Sequence, residues 1–198
     1  MSRRQSRQPA PASQRPQPTD ALRQALARQR KVDLVNLLLE LAQANRRILR
    51  QLTARLDVTA AADELLAATR QAIAEATAFN PRDINRNFAY DDEAYREVKR
   101  NLARLITVGQ LRLAMELALE LMKRGSHQVE MSDEGLMSED IEDCLSVVLQ
   151  ALWRCNLPAA EGLAWCSAMV ANDRVGFIAE QSLQSLRTQF QAAADTEE

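Results

Sequence analysis

The spacing of apolar residues between Asp91 and Gly125 restricts what this chain can fold into more than any other feature. Tyr95, Val98, Leu102, Leu105 and Ile106 recur at intervals of three and four, and so do Leu111, Ala114, Leu117, Ala118, Leu121 and Met122. A strand turns every second residue to one side, whereas this rhythm gathers each set on one face of a helix. Asp91 is placed to cap the first helix, because its carboxylate can accept from free first-turn N–H groups, where Asp92 and Glu93 also complement the helix dipole. Gly109, inside Thr107-Val108-Gly109-Gln110, can take the positive φ that ends a helix. The stretch is predicted to be an αα-hairpin whose second helix is closed by Lys123, Arg124 and Gly125.

The same rhythm continues on either side. Leu34, Val35, Leu38, Leu41 and Ala42 form a stripe that weakens at Asn45 and resumes with Ile48, Leu49, Leu52 and Leu56, which predicts a helix pair broken at Asn45. Leu65, Leu66, Thr69, Ile73 and Ala76 predict a helix ending near Phe79, and Asn80-Pro81 then opens a connection anchored by Ile84, Phe88 and Tyr90. A second connection is expected from Ser126 to Met137. Ser138 is expected to cap a helix that turns Ile141, Leu145, Val148 and Leu149 inward. Pro158 starts another, to about Val170, and Asn172-Asp173 begins a last one through Phe177, Ile178, Leu183, Leu186 and Phe190. The expected fold is all-α, built from stacked antiparallel helix pairs as an α-solenoid of tetratricopeptide-like type with about seven helices. Residues 1–19 are expected to be a disordered basic tail rich in Pro, Gln and Arg, 20–194 a single helical domain, and 195–198 a frayed acidic tail.

Composition supports helices. Only 4% of the 198 residues are aromatic, so the core must be built mainly from Leu, Ala, Val, Ile and Met. The formal net charge of −2 conceals an asymmetry, with +7 over residues 1–31 and −9 over the remainder. Three cysteines make no disulfide framework, and with no signal-peptide pattern and no apolar run of about 20 residues the expected location is the cytoplasm, without membrane contact.

The order of the blocks carries a resemblance. The stripe Leu34 to Leu41, the helix ending Ile73-Ala74-Glu75-Ala76-Thr77, the linker with Tyr90, the turn Gly109-Gln110-Leu111 and the loop Ser132-Asp133-Glu134-Gly135 resemble a bacterial all-helical domain of unknown function associated with SWIM-type zinc-finger proteins. The resemblance covers roughly residues 32 to 178. It implies a tetratricopeptide-like stack and no known activity. The finger itself is absent here, since it needs several Cys and His close in sequence and this chain has His127 and the widely spaced Cys144, Cys155 and Cys166.

No residue is assigned a catalytic, cofactor-binding or metal-binding role. The three cysteines lie eleven apart but Pro158 interrupts the last interval, and buried core thiols account for them better than zinc ligands or a Cys-His nucleophile using His127. Asp133, Glu134, Glu139, Asp140, Glu142 and Asp143 could offer carboxylates to a cation or an acid–base pair, but match no EF-hand loop and suit acids at a helix N-terminus. Trp153 and Trp165 read as core anchors and His127 as a loop residue at a helix end. Phosphate-loop, dinucleotide, nucleophile-elbow and metalloprotease motifs are all missing.

The expected function is therefore a non-enzymatic scaffold that binds another protein, with Tyr90, Asp91, Asp133 and Glu134 as contact residues and no cofactor. The alternative is a nucleic-acid accessory protein whose basic arm, through Arg3, Arg4, Arg7 and Arg15, makes weak contacts to a polyanion; the arm has no aromatic residue to stack on bases. A hydrolase is the remaining, less supported class.

Overall fold

A computed structural model of the chain describes residues 18–55 and 62–197, and all regular structure among them is helical. The chain divides into two compact units, Met1–Asp57 and Val58–Glu198. Arg3, Arg4, Arg7 and Arg15, and the tail expected over 1–19 apart from Pro18 and Thr19, lie outside the described residues. Among the described residues no helix is long and apolar enough to cross a membrane.

The first unit holds α1 (Pro18–Ala27), α2 (Lys31–Ala44) and α3 (Arg46–Arg55). The break between the last two falls at Asn45, as the weakened stripe predicts. Asn45 leaves helical geometry at φ −141°, and its side-chain oxygen accepts from the N–H of Arg47 at 3.0 Å and of Ile48 at 3.4 Å, so the residue that ends α2 caps α3.

The second unit contains α4 (Ala62–Ala76), α5 (Pro81–Asn87), α6 (Asp92–Thr107), α7 (Leu111–Met131), α8 (Ser138–Leu152), α9 (Ala159–Asn172) and α10 (Glu180–Glu197). The central hairpin is α6–α7. Asp91 caps α6, its Oδ1 accepting from the Ala94 N–H at 3.0 Å, and Gly109 turns the chain at φ +79°. Tyr95, Val98, Leu102 and Leu105 on α6 and Leu117, Ala118, Leu121 and Met122 on α7 are all buried. The core grows outward from them: α6 packs on α4 and α8, α7 on α8 and α9, and α9 on α10.

Ten described helices replace the expected seven or so, and four boundaries move for identifiable reasons. Asn80-Pro81 begins a helix, with Asn80 as N-cap and Pro81 in the first turn, where its missing N–H costs nothing. α7 passes straight through Gly125 to Met131. That glycine is no terminator: a Cβ on it would lie 2.7 Å from Cδ1 of Ile141, so its bareness lets α8 approach. His127 consequently sits inside a helix. At the far end α9 runs to Asn172, and Asp173 organises a loop by accepting from the N–H groups of Val175 at 3.1 Å and Ile178 at 2.9 Å, leaving Phe177 exposed.

Candidate interaction surface

The two segments singled out from sequence, around Tyr90 and around Asp133, are brought together on one edge of the second unit. α5 starts it. Asn80 Oδ1 accepts from the Arg82 N–H at 3.1 Å, and its amide donates to Asp83 at 2.6 Å. Ile84 is buried and pins the helix to the core. On the other face Asn85 bridges to the end of α7, its Nδ2 donating to the Met131 carbonyl at 3.4 Å and its Oδ1 accepting from the Asp133 N–H at 3.2 Å. One asparagine thereby joins the two connections.

α5 ends in an unusual way. The N–H of Phe88 reaches the Ile84 carbonyl at 3.1 Å and that of Ala89 the Asp83 carbonyl at 2.9 Å, a left-handed helix end in which the left-handed position is normally glycine. Here it is Phe88, at φ +53°, and its side chain is not held by the core: the residue is 57% exposed. A bulky residue in this region is strained by about 1–2 kcal/mol. Met131, at the end of α7, and Leu136, in the connection after it, are exposed as well.

Beside these apolar groups lies an open cleft of about 360 Å³ lined by Arg82, Asn85, Arg86 and Asp133. Arg82, Arg86, Asp133 and Glu134 are all exposed, and none of the four forms an ion pair among the described residues. Glycine at 135, φ +60°, turns the loop back, and Ser132 Oγ accepts from its N–H at 2.7 Å.

Tyr90 and Asp91 frame the edge from the other side. Tyr90 is half-buried, and its hydroxyl donates to Asp140 at 2.6 Å, tying the linker to α8. Its ring meets that of Tyr95 edge-on, with centroids 6.1 Å apart. Tyr95 donates to Gln128 Oε1 at 2.5 Å, and the amide of Gln128 donates to the carbonyls of Ala76 at 3.0 Å and Ala78 at 3.1 Å, closing the end of α4. Burial, and then for Tyr90 the hydrogen bond to Asp140, pushes both phenols well above their ordinary value. These tyrosines are neutral struts.

The other sequence candidates fall in separate places. Cys144 is buried and donates to the Tyr95 carbonyl at 3.2 Å; burial pushes its thiol up to about 12. Cys166 is buried beside a cleft of about 180 Å³ between α9 and α10, and burial raises it to about 11. A thiol so raised is protonated at neutral pH and a poor nucleophile. Cys155 is half-buried and donates to the Leu152 carbonyl at 3.3 Å. His127 meets Glu130 at 3.3 Å and Arg174 at 3.4 Å, on a cleft also lined by Lys123 and Arg124. Asp143 pairs with Lys99 and Glu142 accepts from the Ala179 N–H, so those two acids tie α8 to its neighbours. Among the described residues no group of three or more His, Cys, Asp or Glu could hold a metal ion. Trp165 is buried and donates to the Met115 carbonyl at 3.0 Å, whereas Trp153, the C-cap residue of α8, is exposed, against expectation.

Sequence reasoning missed Phe88, Met131 and Leu136 as surface groups; Phe88 reads there as an anchor. The one local signal is that helix ends commonly close on a left-handed residue, and no glycine follows Asn87. No family model, no curated protein and no solved structure matches the chain.

Proposed function

We propose that this chain is a cytosolic, non-catalytic helical scaffold that binds another protein across the edge formed by residues 80–91 and 132–137. The observation that carries the reading is Phe88, an aromatic side chain held outward at a strained backbone position on a frame that Ile84, Asn85 and Tyr90 pin to the core. Strain of this kind persists where the surroundings impose it, and aromatic groups anchor interfaces. Unpaired charges of both signs, on Arg82, Arg86, Asp133 and Glu134, suit the polar rim of such a contact. A tetratricopeptide-like solenoid is part of the proposal, supported by four packings of a helix on the next but one: α4 on α6, α6 on α8, α7 on α9 and α8 on α10.

The test is affinity capture with the tagged chain at native expression level, after nuclease treatment, comparing wild type with Phe88→Gly and with Asp133→Lys combined with Glu134→Lys. A defined set of proteins recovered by wild type and lost with either variant supports the proposal. Recovery that both variants leave unchanged removes the edge. Recovery abolished by nuclease, or by deleting residues 1–31, favours the polyanion reading, which rests on the +7 charge of that segment.

A further inference from the structure

Four basic side chains of the second unit converge on one open cleft of about 380 Å³, although the chain beyond residue 31 carries a net charge of −9. Lys123, Arg124 and His127 come from α7 and lie within about one turn of it, ~6 Å along the axis. Arg174 comes from the loop after α9, and the α4 side of the cleft offers only the short side chains of Ala74 and Thr77. All four basic residues are exposed. They are not spent on capping α4: the carbonyls of Ala76 and Ala78 accept from the Gln128 amide, and that of Ile73 from Thr77 Oγ1 at 2.7 Å.

Charge does not cancel there. Glu120 faces two arginines, Arg124 at 3.2 Å and Arg70 at 3.7 Å, and Glu130 accepts from Arg174 at 2.9 Å with His127 at 3.3 Å. Lys123 has no ion pair among the described residues. Asp173, next to Arg174 in the chain, is turned into its own loop by the N–H groups of Val175 and Ile178. Four permanent cations thus meet two carboxylates, a surplus of two positive charges before His127 is counted. Glu130 already shows that Arg174 and His127 receive an oxyanion.

We propose that this cleft binds a single phosphoryl group, free or carried on another molecule. Its charge near neutral pH, about −1.5 to −2, matches the surplus, and its three oxygens can accept separately from Lys123, Arg124 and Arg174. At Arg174 it takes the place of Glu130. A carboxylate would leave half the surplus uncompensated, and an extended polyanion would have to lie along an acidic body. The site uses no residue of the edge at 80–91 and 132–137.

Amide-resolved NMR titration of the full chain at neutral pH tests this, with sodium phosphate against chloride matched for ionic strength. The N–H signals of residues 123–127 and 174–175 are expected to shift and saturate with a Kd on the order of 1–10 mM. Arg174→Gln and Lys123→Gln, both at exposed positions, should each weaken binding about fivefold. Glu130→Gln, which removes the competing carboxylate, should strengthen it about threefold. Unchanged core signals show that each variant is folded. A peptide with one phosphoserine and no other charge is the second probe, and its unphosphorylated form the control. Tighter binding of the phosphopeptide than of phosphate supports a phosphorylated protein as the source, and equal or weaker binding supports a small phosphorylated compound. Phosphate shifts no larger than those of chloride overturn the proposal. So does phosphate binding that survives Arg174→Gln and Lys123→Gln together, or that Glu130→Gln weakens.

Discussion

Replacing Gly162 with alanine should destabilise the protein although the position is helical and helices prefer alanine. Gly162 lies in α9 under the ring of Phe190 from α10. A Cβ there would sit 2.5 Å from Cε2 and Cζ of that ring and 2.6 Å from Cδ2, about 1 Å inside ordinary carbon–carbon contact. Phe190 is only 4% exposed and packs in the core with Leu183 and Leu186, so the added carbon meets a rigid ring held among other side chains. The helix itself would gain ~1 kcal/mol from Gly→Ala, while overpacking costs ~1–3 kcal/mol. The close approach of three ring atoms places this site in the upper part of that range, for a net loss of about 1–2 kcal/mol and a fall in melting temperature of ~2–4 °C per kcal/mol. Urea unfolding followed by circular dichroism measures it. Phe190→Leu removes the ring at a cost of its own, and in that background Gly162→Ala should become neutral or stabilising. The double-mutant cycle should show a coupling on the order of 2 kcal/mol. A Gly162→Ala protein as stable as wild type, with Phe190 present, would refute the packing argument.

At position 88 the usual order of glycine and alanine in stability should also depart from the helical rule: Phe88→Gly is expected to be about 1 kcal/mol more stable than Phe88→Ala, because only glycine relieves the φ of +53°; equal urea midpoints would sink the strain argument. The two tyrosines of the chain have raised pKa values, so the native protein at about pH 10.5 should show little tyrosinate absorbance near 295 nm, whereas the denatured chain is more than half ionised. The stability they contribute is full below the unfolded pKa of about 10 and is lost as pH rises through the folded values, so a phenol titrating at 10 in the folded protein would contradict the assigned hydrogen bonds. Glu130 behaves oppositely: hydrogen bonds from Arg174 and then His127 hold its carboxyl below the usual carboxylate range, so its small contribution is present above the unfolded pKa, about 4.5, and lost as pH falls through the folded value. Arg174→Gln should flatten that acid limb of the stability curve, and an unchanged limb would show the contact to be energetically silent.

Much of the second unit was legible residue by residue. Local chemistry settles the Asp91 cap, the Gly109 turn and the inward faces of α6 and α7, since each depends on neighbours within one or two helical turns. The candidate edge was legible only in part. Asp133 and Glu134 could be placed in a loop, but not beside α5, because the joining contacts of Asn85 span about half a hundred residues of sequence. The α2 stripe shows the limit from the other direction: periodicity identified its apolar face and could not say that the unit leaves that face uncovered.

The sequence by itself therefore determined the helical class, most helix starts, the basic and acidic halves and the lack of familiar catalytic motifs, all of which follow from short-range propensity, periodicity and composition. Tertiary structure alone decided what each glycine is for. Gly109, Gly125 and Gly162 are chemically identical in the chain, yet the first ends a helix while the other two admit Ile141 and Phe190 against a bare backbone. It likewise decided that Trp165 is buried and Trp153 exposed, and that Phe88 points outward. A missing Cβ or a large ring acquires its meaning from the atoms packed against it, and those come from distant parts of the chain.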